Sequence, residues 1–370
     1  MPTSINEGGF VMKHHFLIAA AAAALLPAPL LAQVAPISST ANSVAEALPA
    51  DVLAAVRAAV AVKTIYPVTG AERFTGQILK ADEIVFAPGA SLTLTATDRP
   101  WIVIVAKKWK FADVAQWVKI ATAAVPAAAG AQGATGSNGA DNWGETGRHG
   151  NPGYPGASGG AGGRGAAVRL PRIYLVGGEF TSPDGAPLPG ALRLSLSFPG
   201  VPGGAGGIGG AGGNGGHAGN GKEGASGLFD CQDGPGPGGD GGAAGPGGAG
   251  GDGGTGGNGA DLVYVSLAEG IEQLSYARVI NTEGYGGSGG RAGRVGSPGG
   301  AGNGAGRNGW CGSSGPGNAG AYPSPADGGP GHDGSDGRKG SVTAITVEMT
   351  AMPMELMIDR TNSPSLKMPR

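Results

Sequence analysis

The two cysteines are the residues whose position points most directly to chemistry. Cys231 and Cys311 lie 80 positions apart, each in the middle of a separate glycine-rich block. This spacing excludes a CxxC metal or redox site. If the two blocks form hairpins that leave one base and run side by side, their turns meet. A Cys231–Cys311 disulfide is then predicted, as an exported compartment allows; two free thiols or an intermolecular bridge are the alternatives.

Metal-ligand patterns are sparse. The stretch GGNGADLVY (256–264) fits one nonapeptide of calcium-binding β-rolls and makes Asp261 a calcium candidate. Those sites share ligands between consecutive repeats, whereas this chain holds one complete copy. His149, His217 and His332 stand in separate blocks without metal-ligand spacing. We therefore expect no cofactor and no firm metal site.

No set of residues combines a nucleophile, a base and a group that orients the base. The stretches DRPW (98–101) and AKKWK (106–110) could offer acid and base groups to a sugar. Solvated charges at turns and sheet edges explain them better. The sequence predicts a protein that is not an enzyme and has no catalytic residue; a polysaccharide-active β-solenoid is the enzymatic alternative.

The glycine blocks repeat with a period of three, as in GGAGGIGGAGGNGG (203–216). A flexible linker needs no such phase. Period three fits the left-handed polyproline II helix, in which a glycine edge lets a neighbouring helix approach closely. The G-G-X runs are predicted to be interior helices with X outward, and GETGRHGNPGYPGASG (144–159) a peripheral one. Trimeric collagen and disorder are the alternatives.

Each block has a non-repetitive centre, at 140–144, 227–233 and 308–314. This pattern predicts a hairpin of two extended helices with the interruption at its tip. Trp143, Phe229 and Trp310 lie in these centres, in a chain with 5% aromatic residues. Exposed aromatic side chains are favoured at recognition sites, so these three are the candidate binding residues. A plug at the end of a bundle without a core is the alternative.

Strand-like segments between the blocks supply the hydrophobic core. SLTLTAT (91–97) and ALRLSLSF (191–198) alternate, and WIVIVA (101–106) is apolar on both faces. We predict a mainly β fold: a small β-solenoid, or alternatively a β-sandwich, that carries polyproline II or polyglycine II hairpins. One short helix is predicted at 50–62, following Pro49, and could cap the scaffold.

The N-terminus has the order of a secretory signal peptide: a basic region after Met12, an apolar run, and a Pro/Ala region that ends at Ala32. Met12 is the expected start. The predicted organisation is a signal peptide (1–32), an N-terminal segment with the helix (33–63), scaffold parts (64–129, 167–201, 261–283), glycine-rich blocks (130–166, 202–260, 284–340), a final strand (341–350) and a C-terminal tail (351–370).

Composition limits the partners. The 370 residues include 78 Gly and 28 Pro, only 14% are charged, and the formal net charge is −2. Such a chain has no global electrostatic attraction for nucleic acid or an anionic membrane. No second apolar run follows the predicted signal peptide, so no membrane span is expected. Oligomeric state is left open.

The G-G-X runs at 203–227, 238–259 and 284–302 resemble those of polyglycine II proteins, namely phage tail-fibre adhesins and springtail antifreeze proteins. Collagen-like, glycine-rich secreted bacterial proteins are a looser match. The resemblance covers about two fifths of the chain. It implies tip loops that bind a cell-surface, glycan or matrix partner. A signal peptide departs from the adhesins, and a separate β-scaffold and charged X residues (Asp240, Asp252, Arg291) depart from the antifreeze proteins. We expect a secreted, periplasmic or cell-surface structural or adhesion protein, with ice binding as the alternative.

Overall fold

The computed structural model describes residues 37–60, 63–146 and 148–348. In these ranges the protein is mainly β with few helices, as predicted. The predicted signal peptide, the Met12 start and the C-terminal tail lie outside the described residues. The helices are α1 (Val44–Ala47), α2 (Ala50–Ala58) and α3 (Ala268–Ser275). The strands are β1 (Ile37–Ala41), β2 (Lys63–Val68), β3 (Ala71–Phe74), β4 (Ile78–Phe86), β5 (Ser91–Leu94), β6 (Trp101–Phe111), β7 (Val118–Thr122), β8 (Glu145–Thr146), β9 (His149–Gly150), β10 (Arg172–Thr181), β11 (Leu194–Ser197), β12 (Ala225–Ser226), β13 (Cys231–Asp233), β14 (Leu262–Ser266), β15 (Arg278–Ile280) and β16 (Val342–Val347).

Two parallel sheets form the β part. The larger has the strand order β1-β16-β14-β10-β6-β4-β2, and the smaller has the order β15-β11-β7-β5-β3. From β2 to β7 successive strands alternate between the two sheets. Each glycine-rich block follows a strand of the smaller sheet (β7, β11 or β15) and precedes a strand of the larger one (β10, β14 or β16). All three blocks therefore begin beyond the C-terminal ends of parallel strands of the smaller sheet, on the same side of the β part.

The core lies between the sheets, where alternation in the sequence predicts it. Leu92 and Leu94 of β5 are buried, as are Ile102 and Ile104 of β6. The second alternating stretch buries Leu192, Leu194, Leu196 and Phe198. Because parallel strands in register place equivalent side chains side by side, each further strand of a sheet extends the same apolar interior.

Stacked aromatic rings lie at the C-terminal ends of three neighbouring strands, β4, β6 and β10. The register aligns Phe86 with Phe111 and Trp109 with Phe180. The Phe86 and Phe111 ring centroids are 5.2 Å apart, and those of Trp109 and Phe180 are 5.7 Å apart. Aromatic neighbours at these separations contribute beyond their buried area. Ring stacking therefore holds the C-terminal ends of β4, β6 and β10 together.

The predicted helix at 50–62 is the shorter α2, and it lies against the outer face of the larger sheet. Val52 and Val56 of α2 pack in one buried cluster with Val103 of β6 and Val176 of β10. Lys80 donates from Nζ to the carbonyl oxygens of Val56 (3.1 Å) and Ala59 (3.0 Å), so its ammonium satisfies the last turn of the helix. Burial lowers the pKa of Lys80.

The glycine-rich blocks contain six segments in which backbone hydrogen bonds connect one segment to the next. Consecutive segments run antiparallel, as where the N–H of Gly207 donates to Gly163 O and that of Gly210 to Gly160 O. Alternate segments run parallel, as where Gly130 donates to Ala205 O. These connections repeat every three residues, except in segment VI, where the period is interrupted between Gly320 and Gly331. The segments are I (128–142), II (150–166), III (200–222), IV (236–260), V (281–305) and VI (314–340).

Segments III and IV are the most interior, and they carry the G-G-X runs at 203–227 and 238–259; the third run, at 284–302, lies in segment V, which exchanges hydrogen bonds with three segments. Segments III and IV each exchange hydrogen bonds with four other segments, whereas segments I and VI each do so with two. A Cβ built on Gly207 or Gly210 would fall well inside van der Waals contact with the carbonyl oxygen of Ala131 or Ala134. In the described ranges φ is positive only at Gly89, Gly185 and Gly309. The interior glycines are thus required for space and not for a left-handed backbone.

Candidate functional site

The disulfide predicted from the sequence is confirmed. Cys231 and Cys311 are bonded, and their Cα atoms lie 4.8 Å apart. Cys231 begins β13, which follows the turn where Gly227 N–H donates to Asp230 O. The bond joins the turn between segments III and IV to the turn between segments V and VI. We call these two joined turns, residues 223–234 and 306–313, the tip.

Trp310 is held at the tip by its polar atoms and not by burial. Its backbone N–H donates to Ser226 Oγ at 2.9 Å, and its indole Nε1–H donates to the carbonyl oxygen of Leu228 at 3.1 Å. Asn308 Nδ2 donates to Gly224 O at 2.9 Å across the same junction. These bonds fix the ring orientation while Trp310 remains 65% exposed. A fixed aromatic surface therefore faces solvent.

Two further apolar side chains project from the tip. Phe229 is 86% exposed and the adjacent Leu228 is 85% exposed. The sequence predicted Phe229 but not Leu228, although the two are neighbours in the LFD stretch that interrupts the glycine repeat. Together with Trp310 they form an exposed apolar group on a covalently closed loop pair.

Trp143 does not belong to this group. Asn142 N–H donates to His217 O, and the Trp143 ring stacks on the imidazole of His217 at 5.5 Å. His217 lies in segment III, before the tip begins. Among the described residues of the turn between segments I and II, Arg148 forms an ion pair with Asp233 of the tip. The turn that carries Trp143 therefore lies beside segment III, closer to the β part than the tip is.

Asparagine and aspartate at outward positions hold parallel segments together. Ser297 N–H donates to Asn214 Oδ1 at 2.8 Å, and His332 N–H donates to Asp252 Oδ1 at 2.9 Å. Each bond satisfies a backbone N–H that points away from the interior. The same arrangement pairs Asn214 with Asn138, His217 with Asp141, Asn303 with Asn220, Asn318 with Asp240, and Arg338 with Asn258.

This role was not predicted from the sequence, but a signal for it is present. The paired positions keep a constant offset, which is 83 between segments III and V and 80 over much of segments IV and VI. From the sequence alone, Asp240 and Asp252 are only charged residues at outward positions. They are hydrogen-bond acceptors for the neighbouring backbone, which gives them a structural reason to be charged or polar.

Asp261, the calcium candidate, lies where segment IV enters β14. Its Oδ1 accepts from Ser341 N–H at 2.9 Å and from Ser341 Oγ–H at 2.7 Å, and its Oδ2 lies 3.4 Å from Arg172 Nη2. Burial alone would raise the pKa of Asp261, but the Ser341 hydrogen bonds and the Arg172 charge outweigh it and hold the pKa below its ordinary value. Among the described residues, no group of three or more His, Cys, Asp or Glu is arranged to hold a metal ion.

The charges of AKKWK are paired across strands. Lys107 lies 3.1 Å from Asp82, and Lys110 lies 2.9 Å from Glu83, both on the neighbouring β4. Trp109 between them is buried in the core. In DRPW, Asp98 pairs with the adjacent Arg99, and Trp101 begins β6. Lys108 lies 3.3 Å from Glu179 on β10, the strand on the other side of β6. The expected solvated charges at a sheet edge are thus instead ion pairs between neighbouring strands inside the larger sheet.

None of the helices among the described residues is long and apolar enough to cross a membrane. No protein-family model, curated protein or solved structure matches this chain.

Proposed function

We propose that this chain is an exported, non-enzymatic surface or matrix protein that adheres to a partner through its tip. The observation that carries this proposal is the Cys231–Cys311 bond, which holds Leu228, Phe229 and Trp310 together in solvent. Large, rigid, exposed aromatic groups contribute most to recognition because little conformational entropy is lost when they bind.

We further infer that the segments are polyglycine II helices that project from a β-solenoid. The alternation of strands between two parallel sheets supports the solenoid. Inter-segment hydrogen bonds at every third residue support the helices. At ~3.1 Å per residue, segment IV would separate the tip from the β part by roughly 75 Å. Such a stalk would present the tip away from the surface to which the β part is attached.

A location outside the cytosol fits a protein whose tip is closed by a disulfide. Disulfides persist in oxidising environments and are rare in the cytosol. The signal-peptide-like sequence between Met12 and Ala32 is independent support from the sequence.

The test compares tip variants with matched variants elsewhere on the segments. Fluorescently labelled protein is applied to whole bacterial cells and to immobilised glycans and matrix proteins. The double variant Phe229→Ser/Trp310→Ser should lose at least tenfold in binding. The control Ile208→Ser/Tyr322→Ser removes two exposed apolar side chains that lie away from the tip (50% and 62% exposed). Equal binding by wild type and tip variant would refute adhesion through the tip.

Trp143 is tested separately because it lies away from the tip. Trp143→Ala removes an exposed ring that stacks on His217. If the tip alone binds, this variant should retain wild-type binding. A loss as large as that of the tip variant would instead assign binding to the side of the segments.

Ice binding is the second candidate, and one observation favours it. In the sequence, the charged residues Asp240 and Asp252 are an argument against ice binding. Both carboxylates accept hydrogen bonds from the backbone of segment VI. Between them the outward positions of segment IV are the small Ala243, Pro246 and Ala249. Thermal hysteresis of the purified protein decides this question: a measurable gap between melting and freezing points supports ice binding, and its absence removes it.

A further inference from the structure

A cleft of about 680 Å³ opens where the segments meet the larger sheet, at the opposite end of segment IV from the tip. The strand register places Arg172 of β10 beside Trp101 of β6. Asp261 and Ser341 directly precede the neighbouring strands β14 and β16. The lining of the cleft thus includes residues at or just before the starts of four adjacent strands, Trp101, Arg172, Asp261 and Ser341, together with Asp51 of α2.

The cleft is basic in a chain whose net charge is −2. Four cationic residues line it against two carboxylates. Asp261 is already engaged by Ser341 and Arg172. In the described part of the chain, the side chains of Arg169, Arg338 and Lys339 form no hydrogen bond or ion pair. These three cationic groups are therefore available to an anionic ligand.

Trp101 supplies a fixed apolar surface beside these cations. Its Nε1–H donates to Asp51 Oδ2 at 3.2 Å, so the ring is oriented by α2. The Trp101 side chain is half-buried and lines the cleft. An indole face of this kind packs against the C–H face of a pyranose ring, while a guanidinium binds a carboxylate through two hydrogen bonds.

We infer that this cleft binds an acidic saccharide, with one uronate unit on Trp101 and its carboxylate on Arg338 and Lys339. The volume falls in the range of small-molecule sites and exceeds what a single inorganic anion fills. Arg169 also lines the cleft, and we assign it to a second acidic unit of the same saccharide chain. The site is separate from the tip, so the success or failure of tip adhesion leaves it unaffected.

The test measures binding of an oligogalacturonate, a neutral oligosaccharide of the same length and inorganic sulfate by isothermal titration calorimetry. The acidic oligosaccharide should bind, and its affinity should fall as salt is raised. The double variant Arg338→Gln/Lys339→Gln should weaken this binding at least tenfold. The control Arg291→Gln/Arg294→Gln makes the same change in charge on exposed residues of segment V outside the cleft and should leave binding unchanged.

A second variant tests the role of the ring. Trp101→Ala should weaken the oligogalacturonate at least tenfold, and the melting temperature of each variant shows that it is folded. The inference is overturned if the oligogalacturonate does not bind, if the neutral oligosaccharide binds equally well, or if both charge variants weaken binding alike. It is also overturned if sulfate binds as tightly as the oligogalacturonate and Trp101→Ala changes neither, because the cleft would then be a simple anion site.

Discussion

The backbone N–H of Ser297 donates a 2.8 Å hydrogen bond to Oδ1 of Asn214, 83 positions earlier in the chain. Asn214 donates its own backbone N–H to Asn138 Oδ1 in the same way. Because the glycine-rich segments have little hydrophobic side-chain packing, their cohesion depends on such polar contacts as well as on the backbone bonds between glycines. Each outward N–H that finds an acceptor connects one segment to the parallel segment that lies two further along the chain.

Replacing Asn214 tests this contribution. Asn214→Ala should lower the free energy of unfolding by about 1 kcal/mol, because the Ser297 N–H loses its acceptor and must turn to water. Asn214→Asp keeps an oxygen in the same position and should remain within a few tenths of a kcal/mol of wild type. Chemical denaturation measures both. Equal losses in the two variants would show that the acceptor oxygen is not what matters.

The glycines that face a neighbouring segment should differ strongly in their tolerance of alanine from glycines that face open space. Gly207→Ala should destabilise by about 3 kcal/mol or abolish folding, because its Cβ would overlap the carbonyl oxygen of Ala131 and force segments I and III apart. Gly306→Ala is the matched control, since a Cβ there meets nothing within 4 Å and the backbone is not left-handed. Thermal unfolding compares the two. A well-tolerated Gly207→Ala would contradict the close packing of the segments.

The sequence predicted the parts of the structure that rest on a simple period. Alternation in SLTLTAT correctly places Leu92 and Leu94 in the core, and the position of Cys231 and Cys311 in two block centres correctly predicts their bond. The acceptor role of Asp252 was missed because its partner, His332 N–H, is 80 positions away and becomes visible only when two segments are aligned.

The cleft escaped sequence reasoning for a related reason. Its side chains come from five distant stretches, represented by Asp51, Trp101, Arg172, Asp261 and Arg338. No local motif unites them; only the register of adjacent strands does. Trp143 illustrates the same limit, because its displacement from the tip depends on the different lengths of the segments.

Asp261 predicts a specific acid sensitivity. Its pKa is held below the ordinary value, so its contribution to stability is complete above the ordinary aspartate pKa of about 3.9 and is lost as the pH falls through the lower folded-state value. Asp261→Asn has no carboxylate to titrate. Melting temperatures measured from neutral to acidic pH should therefore converge for wild type and Asp261→Asn in that acidic window.

The control for this pH series is Asp98→Asn, which removes an exposed carboxylate outside the row of strand starts. It should follow the wild-type curve throughout. If wild type and Asp261→Asn instead kept a constant difference down to the most acidic pH, the carboxylate charge would not be what stabilises the junction of segment IV and β14.

The disulfide predicts where the structure loosens on reduction. Cys231→Ser/Cys311→Ser should lower the free energy of unfolding by roughly 4 kcal/mol in the chain-entropy model, because the unfolded chain regains the freedom of an 80-residue loop. The backbone bonds of the interior glycines do not depend on this link. Hydrogen exchange should therefore rise at 225–233 and 308–311, while the amides of Gly207 and Gly251, each bonded to a neighbouring segment, stay protected. Reduced wild type should show the same pattern. Loss of protection along whole segments would contradict this prediction. It would mean that the disulfide holds the segments in register and that the segments are not stable without it.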